Sequence, residues 1–218
     1  MNNLKYPLVC FDLDGTLVDD TIYIWKTLHE GFNTDAYARK QAMDDYFNNK
    51  ITYKEWFDHD LILLHKAGAT KSAMKQMFNS LSIMPGAIKT LKALKLKGHK
   101  LAIISGSLDI VVNHLFPEDL FDYMLINKIY FDAKGQILNG IHTPYDIEKK
   151  ADGLKYLCEK EGISTKEAVF VGDNENDLWI AKEAGLSIAF NCKSKKLSEI
   201  SHIEIKQKDM TQILPHIS

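Results

Sequence analysis

Apolar and polar positions along the chain change rhythm twice. Residues 8–13 form a short, nearly unbroken apolar run, which predicts a strand buried on both faces. From Thr21 to about Ser80 the period becomes helical. Trp25, Leu28 and Phe32 share one face, and Tyr46 and Phe47 close a second helix. Trp56, Phe57, Leu61 and Leu64 mark a third helix, and Met74, Met77 and Phe78 a fourth. Gly68 and the Asn48-Asn49 pair punctuate them. The first reading of these aromatics is the core of a small helical bundle.

From Pro85 onward short apolar strands alternate with helices. Pro85 is expected in the first turn of a helix that faces Ile88, Leu91 and Leu94 or Leu96 inward and ends at Gly98. Residues 100–104 read as a strand, followed by Ser105-Gly106-Ser107 and a helix over 109–116. Residues 123–141 predict a β-hairpin turning at Ala133-Lys134-Gly135. Then come a helix over 151–161, a strand over 168–171 running into Gly172-Asp173, a helix over 177–184, and a strand over 186–190. The alternation predicts an α/β fold, a Rossmann-like doubly wound parallel sheet with helices on both faces. Ligands of such sheets bind at the carboxyl ends of the strands.

Those ends carry a coherent set of side chains. The first strand delivers Asp12 and Asp14, the second Ser105, and the third Asp173 and Asp177. Clustered carboxylates repel one another unless a cation sits among them. A hard divalent ion suits oxygen donors, and Mg²⁺ commonly takes one or two carboxylates, keeps waters and leans on substrate phosphate. Asp12 and Asp173 can ligate through side chains and Asp14 through its backbone carbonyl. An aspartate beside Mg²⁺ and a phosphate can attack phosphorus. A neighbour two residues on points to the same side of an extended chain, and can serve as acid and base. Gly15 allows a tight turn behind the acids, and Thr16 adds a hydroxyl or caps the next turn.

Charge and composition mainly exclude. With 27 Lys and Arg against 29 Asp and Glu, nothing argues for a nucleic-acid partner. No apolar run is long enough to span a bilayer, so no membrane partner is expected. Residues 1–6 are polar and do not read as a signal peptide, which points to the cytoplasm. Cys10, Cys158 and Cys192 are an odd, widely spaced set that reads as reduced core or near-core thiols. Arg39 is the only arginine.

These residues resemble the haloacid dehalogenase superfamily. Asp12-Leu13-Asp14-Gly15-Thr16 is similar to its first motif, and Ser105 after an apolar strand to its second. Lys149 or Lys150 before a helix is similar to the third, and Gly172-Asp173-Asn174-Glu175-Asn176-Asp177 to the fourth. The distance from Lys150 to Gly162-Ile163 favours Lys150 and, with Ile104-Ser105-Gly106-Ser107 and the hairpin, points to the phosphoserine phosphatase-like branch. The resemblance implies a core domain over residues 1–18 and 82–218 and a mobile all-helical cap over 19–81. It also implies a Mg²⁺-dependent phosphomonoesterase that works through an aspartyl-phosphate. Asp12 would be the nucleophile, Asp14 the acid and base, and Ser105 and Lys150 phosphate ligands. Thr16, Gly106 and Asn176 would assist at phosphate, with Asp12, Asp14, Asp173 and Asp177 around the metal. The partner would be a small phosphorylated metabolite, and the protein a monomer or homodimer.

The cap departs from that branch. The resemblance implies a glutamate shortly after the first motif, where this chain has Asp20-Thr21. It also implies a cap arginine on the third predicted helix, where the position falls near Asp60. Arg39 lies on a different predicted helix. A carboxylate cannot pair with a carboxylate, so the expected head group is an amine or a polyol, meeting Asp20, Thr21, Trp56, His59 and Asp60. The competing reading of His59 and Asp60 is a solvated helix face. Competing functions are a true phosphoserine phosphatase, a phosphomutase or phosphotransferase of the same superfamily, and a non-catalytic binding protein.

Overall fold

The computed structural model describes residues 4–19 and 21–217. The chain runs β1 (Leu8–Phe11), β2 (Val18–Asp19), α1 (Ile24–Gly31), α2 (Ala36–Phe47), α3 (Tyr53–Lys66), α4 (Lys71–Phe78) and β3 (Ser82–Ile83). It continues through α5 (Ala87–Lys97), β4 (Lys100–Leu108), α6 (Asp109–Leu115), β5 (Tyr123–Phe131), β6 (Ile137–Ile141), α7 (Lys150–Glu161) and β7 (Ala168–Gly172). The last elements are α8 (Leu178–Glu183), β8 (Leu186–Phe190), α9 (Lys195–Ile200) and β9 (Ile203–Ile205).

Seven strands form one sheet in the order β6-β5-β4-β1-β7-β8-β9. Every neighbouring pair is parallel except β5 with β6, the expected hairpin. Gly135 turns that hairpin at φ 77°, in the left-handed region that glycine occupies without strain. Alternation along β1 explains why both faces are covered. Val9 and Phe11 enter an apolar cluster with Leu91, Leu94 and Val111 of α5 and α6. Leu8 and Cys10 enter another with Leu154 and Leu157 of α7 and Ile180 of α8. A stretch buried on both sides has no polar face, hence the unbroken apolar run in the sequence.

The helices α1 to α4 leave the sheet after β2 and return through β3. Those two short strands pair antiparallel, Val18 opposite Ile83 and Asp19 opposite Ser82. The apolar cluster on the β1–Phe11 side runs without a break into Ile24, Leu28, Phe57, Leu61, Leu64, Met74 and Phe78. Each of α2, α3 and α4 starts on a side-chain cap, from Asp35, Thr52 and Thr70, and Thr52 with Glu55 completes a reciprocal capping box.

Local differences from the sequence reading have local causes. The helix expected to include Pro85 begins at Ala87, because Gly86 precedes it at φ 78° and cannot be helical there. The Pro85 carbonyl instead accepts from Met210 N at 2.8 Å. The strand expected to stop at Ile104 continues to Leu108, with a register shift against β5 between those two residues. The elements α9 and β9 at the sheet edge, and the β2–β3 ribbon, carried too few apolar positions to be read in advance. Among the described residues no helix is long and apolar enough to cross a membrane.

Candidate active site

Four parallel strands bring the chemistry together at their carboxyl ends. β1 ends at Phe11, and the Asp12 amide donates to Val171 O of β7 at 3.0 Å, so the first acid is stitched to the neighbouring strand. Asp12, Asp173 and Asp177 are buried, and one oxygen from each lies within 4.8 Å of the others. Lys150, fully buried at the start of α7, places its Nζ 2.9 Å from Asp12 Oδ1 and 2.7 Å from Asp177 Oδ1. Burial alone would pull the Lys150 ammonium down. The carboxylates of Asp12, Asp177 and Asp146 outweigh it and hold the lysine charged, well above its usual range.

Asp177 faces two ways. Its Oδ1 receives Lys150, and its Oδ2 accepts the Asp173 amide at 3.0 Å and the Asn174 amide at 3.3 Å. It therefore holds both the phosphate-side lysine and the turn that presents Asp173. A Cβ at Gly172 would run into that carboxylate, which explains the glycine before Asp173. Asp173 in turn accepts Thr16 Oγ1 at 3.1 Å and Lys193 Nζ at 2.6 Å. Gly15, at φ 77°, has no room for a Cβ either, since the Asp173 carboxylate and Lys193 press against it.

Asp14 is held apart from that cluster. Its Oδ2 accepts the Ile24 amide at the start of α1 at 2.7 Å, and its Oδ1 accepts Ser107 Oγ at 2.9 Å. Burial, with the Asp12 and Asp173 charges adding to it, raises its carboxyl from 3.8 to about 7 against those hydrogen bonds. Burial also raises Asp173. Two buried carboxylates one residue apart thus have separate surroundings, one against a lysine and one against neutral donors, as an attacking group and a proton carrier require.

The donor set fits a hard cation. Asp12, Asp173 and Asp177 set three carboxylates against the two ammonium groups of Lys150 and Lys193. Every donor of that buried triad is oxygen, the ligand type a hard divalent ion takes.

Of the residues expected at phosphate, Ser105 and Lys150 stand at this crevice and Lys149 does not: Lys149 is exposed in the 3₁₀ turn Ile147–Lys149 before α7. The Thr16 hydroxyl is directed onto Asp173 rather than free for phosphate. Asn176 lies half-buried in the 3₁₀ turn Glu175–Asp177. Gly106 is crossed by the Asp146 carboxylate, where a Cβ would collide.

Of the residues expected at the head group, Asp60 departs from its competing reading. Asp60 is 4% exposed, so it is not on a solvated face. Its Oδ2 lies 3.4 Å from His29 Nε2 and 3.8 Å from Arg39 Nε. The arginine set aside as lying on another helix is thus the partner of Asp60, because α2 and α3 pack side by side. His59 is half-buried, its Nδ1 4.0 Å from Asp60 Oδ1. Trp56 stacks on Tyr46 with ring centroids 4.9 Å apart, and Thr21 shares a hydrogen bond with Thr27 at 3.0 Å. Asp20 lies outside the described residues.

The side chains that do reach the crevice from above were not among the expected site residues, Trp25 having been read first as helical core. The Tyr53 hydroxyl donates to Asp146 Oδ2 at 3.0 Å, and Trp25 Nε1 donates to Gly106 O at 2.9 Å. Asn127, Ser107 and Lys193 join from β5, β4 and the loop after β8. Lys193 follows the carboxyl end of a parallel strand, so the strand-end rule that found Asp12 would have found it. The signal that could have found Asn127 is a polar side chain within the largely apolar stretch Tyr123–Phe131.

Comparison with known proteins agrees with this geometry. The model of haloacid dehalogenase-like hydrolases matches residues 6–185. The chain is 28% identical to the phosphoserine phosphatase of Methanocaldococcus jannaschii, over 98% of both chains. It is 30% identical to that of Albidiferax ferrireducens, over 96% of this chain and 88% of the relative. A solved structure described as a phospho-aspartyl intermediate analogue of phosphoserine phosphatase superposes with a TM-score of 0.75 at 27% identity, over 98% of this chain and 99% of the other.

Proposed function

The chain belongs to the haloacid dehalogenase-like hydrolases and is a phosphatase of their phosphoserine phosphatase-like branch, and from that premise we propose how its residues divide the work. Asp12 attacks phosphorus through a carboxylate oxygen, and the bond from phosphorus to the ester oxygen breaks. Asp14, protonated up to about pH 7 by its burial, gives its proton to the departing oxygen. It then takes a proton from the water that attacks the acyl phosphate, which releases phosphate and restores the Asp12 carboxylate. Ser105 and Lys150 hold the phosphate oxygens, the Gly106 amide and Asn176 assist, and Thr16 keeps Asp173 oriented. Asp12, Asp173, Asp177 and the Asp14 backbone carbonyl would hold or support Mg²⁺, which supplies positive charge against the phosphate oxygens. The observation that carries the reading is the buried Lys150 between Asp12 and Asp177. A buried lysine with two acids adds little stability over an apolar replacement of all three, so stability does not account for the set.

The helices α1 to α4 act as the cap over residues 19–81, and the remainder as the core. The head group we favour is a small one without a free carboxylate, an amine or a polyol. Two features support it: Arg39, the only arginine, is already engaged by Asp60, and the charged side chain that overlies Gly106 is the acid Asp146. The test is phosphate release from a panel of phosphorylated amines, polyols and phosphoserine with Mg²⁺, and Asp12→Asn as the control. We expect an amine or polyol ester to be turned over best and Asp12→Asn to be inactive. A wide preference for phosphoserine would overturn the head-group reading, and full activity of Asp12→Asn would overturn the mechanism.

A further inference from the structure

The Gly106 carbonyl lies in the register shift of β4 against β5, between Ile104 and Leu108. Two side-chain donors hold it. Trp25 Nε1 of α1 reaches it at 2.9 Å and Asn127 Nδ2 of β5 at 2.6 Å, so both lone pairs are filled. Asn127 is fully buried and fixed in turn: its Oδ1 accepts the Thr143 amide at 2.7 Å, and its Nδ2 lies 3.0 Å from the Tyr53 hydroxyl.

A peptide unit is planar, so holding the Gly106 carbonyl sets the direction of the Ser107 N–H on its opposite edge. That N–H donates to Ser105 Oγ at 3.2 Å, and Ser107 Oγ donates to Asp14 Oδ1 at 2.9 Å. An N–H directed at the Ser105 oxygen occupies one of its acceptor positions and leaves the hydroxyl proton to be given elsewhere. One peptide therefore aims the phosphate hydroxyl on one side and steadies the proton carrier on the other.

We propose that Trp25 and Asn127 are positioning residues for the phosphatase reaction, acting through the Gly106–Ser107 peptide. The inference rests on the roles given above to Ser105 and Asp14. Trp25 belongs to the first helix of the insertion, so the geometry is complete only while α1 is docked on the sheet. Packing alone does not account for the indole's direction. Trp25 meets Phe57 edge-on at 5.7 Å, and the buried Trp56 Nε1 has no hydrogen-bond partner, so a buried indole of this chain does not find one by packing alone.

The test uses Trp25→Phe, which keeps a ring against Phe57 and removes the donor, and Asn127→Asp, which keeps the shape and an acceptor for Thr143. Both are studied as full chains with Mg²⁺. Hydrogen exchange of the Ser107 amide should accelerate by about tenfold or more in each variant, with the Cys10 amide in the middle of β1 unchanged. On the best wild-type substrate, kcat should fall by about tenfold or more while KM stays within about threefold. Exchange at Ser107 and kcat both within about twofold of wild type in Trp25→Phe would overturn the proposal. Equal acceleration at Ser107 and Cys10 would overturn it too, since that marks general destabilisation. If the wild-type protein releases no phosphate from any ester, the phosphatase assignment of roles fails instead, and the Ser107 exchange still decides whether the two side chains hold the peptide.

Discussion

Replacing Asp14 with asparagine should make the metal-free protein more stable at neutral pH while removing its phosphatase activity. The carboxyl is buried, and its value is raised from 3.8 to about 7. In the unfolded chain it would ionise near 3.8, so between about pH 4 and pH 7 the native state binds a proton that the unfolded state has released. Stability therefore falls as pH rises through that window and levels off above it. At about 1.4 kcal/mol per unit, Asp14 costs the fold roughly 1.5 kcal/mol at pH 5 and about 4 kcal/mol at pH 8. Asparagine never carries that charge. Its carbonyl oxygen can accept the Ile24 amide, and its NH₂ can donate to the Ser107 hydroxyl, so both present hydrogen bonds have replacements. The assay is urea unfolding of wild type and Asp14→Asn in EDTA at pH 5 and pH 8. Asp14→Asn should be the more stable protein, by a margin that widens from the lower pH to the higher. A margin that does not change with pH, or a less stable variant at pH 8, would refute the reasoning, because either means that the Asp14 charge is not held at a cost.

Two further substitutions test the remaining buried charges. Lys150→Met leaves Asp12 and Asp177 facing each other without a counter-charge, and urea unfolding in EDTA should show a loss of about 3–5 kcal/mol, partly recovered on adding Mg²⁺. Asp60→Ala strands His29 and Arg39 inside the cap and should cost about 1–3 kcal/mol by the same measurement, yet leave phosphate release from a small aryl ester within about threefold of wild type.

Much of the site was legible because strand ends are legible. Short apolar runs followed by Asp12, Ser105 and Asp173 place those residues on one rim once the strands are taken as parallel neighbours, and β4, β1 and β7 are adjacent. Lys150 could be found only by its distance from Gly162, since its burial depends on a pair of acids that are remote in sequence. Asn127 and Trp25 were harder. Their role comes from an irregularity in the β4–β5 ladder, and nothing in a residue-by-residue pattern announces which carbonyl a bulge will free.

The cap shows the opposite limit, where helical periodicity gave the right helices and the wrong neighbourhood. Periodicity assigns faces to a helix but does not say which faces meet. Asp60 was placed by its match to the cap-arginine position and read as a head-group residue, with a solvated helix face as the competing reading. Packing α2 against α3 brings Arg39 to within 3.8 Å, and the two charges answer each other inside the cap. That pairing changes the meaning of both residues. Drawing Arg39 away from Asp60 to meet a substrate carboxylate would leave a 4% exposed acid with only His29 and His59 beside it, a cost that substrate binding would have to supply. A head group with no carboxylate makes no such demand. The proposed preference for an amine or polyol ester therefore rests less on the acid at Asp60 than on what that acid already holds.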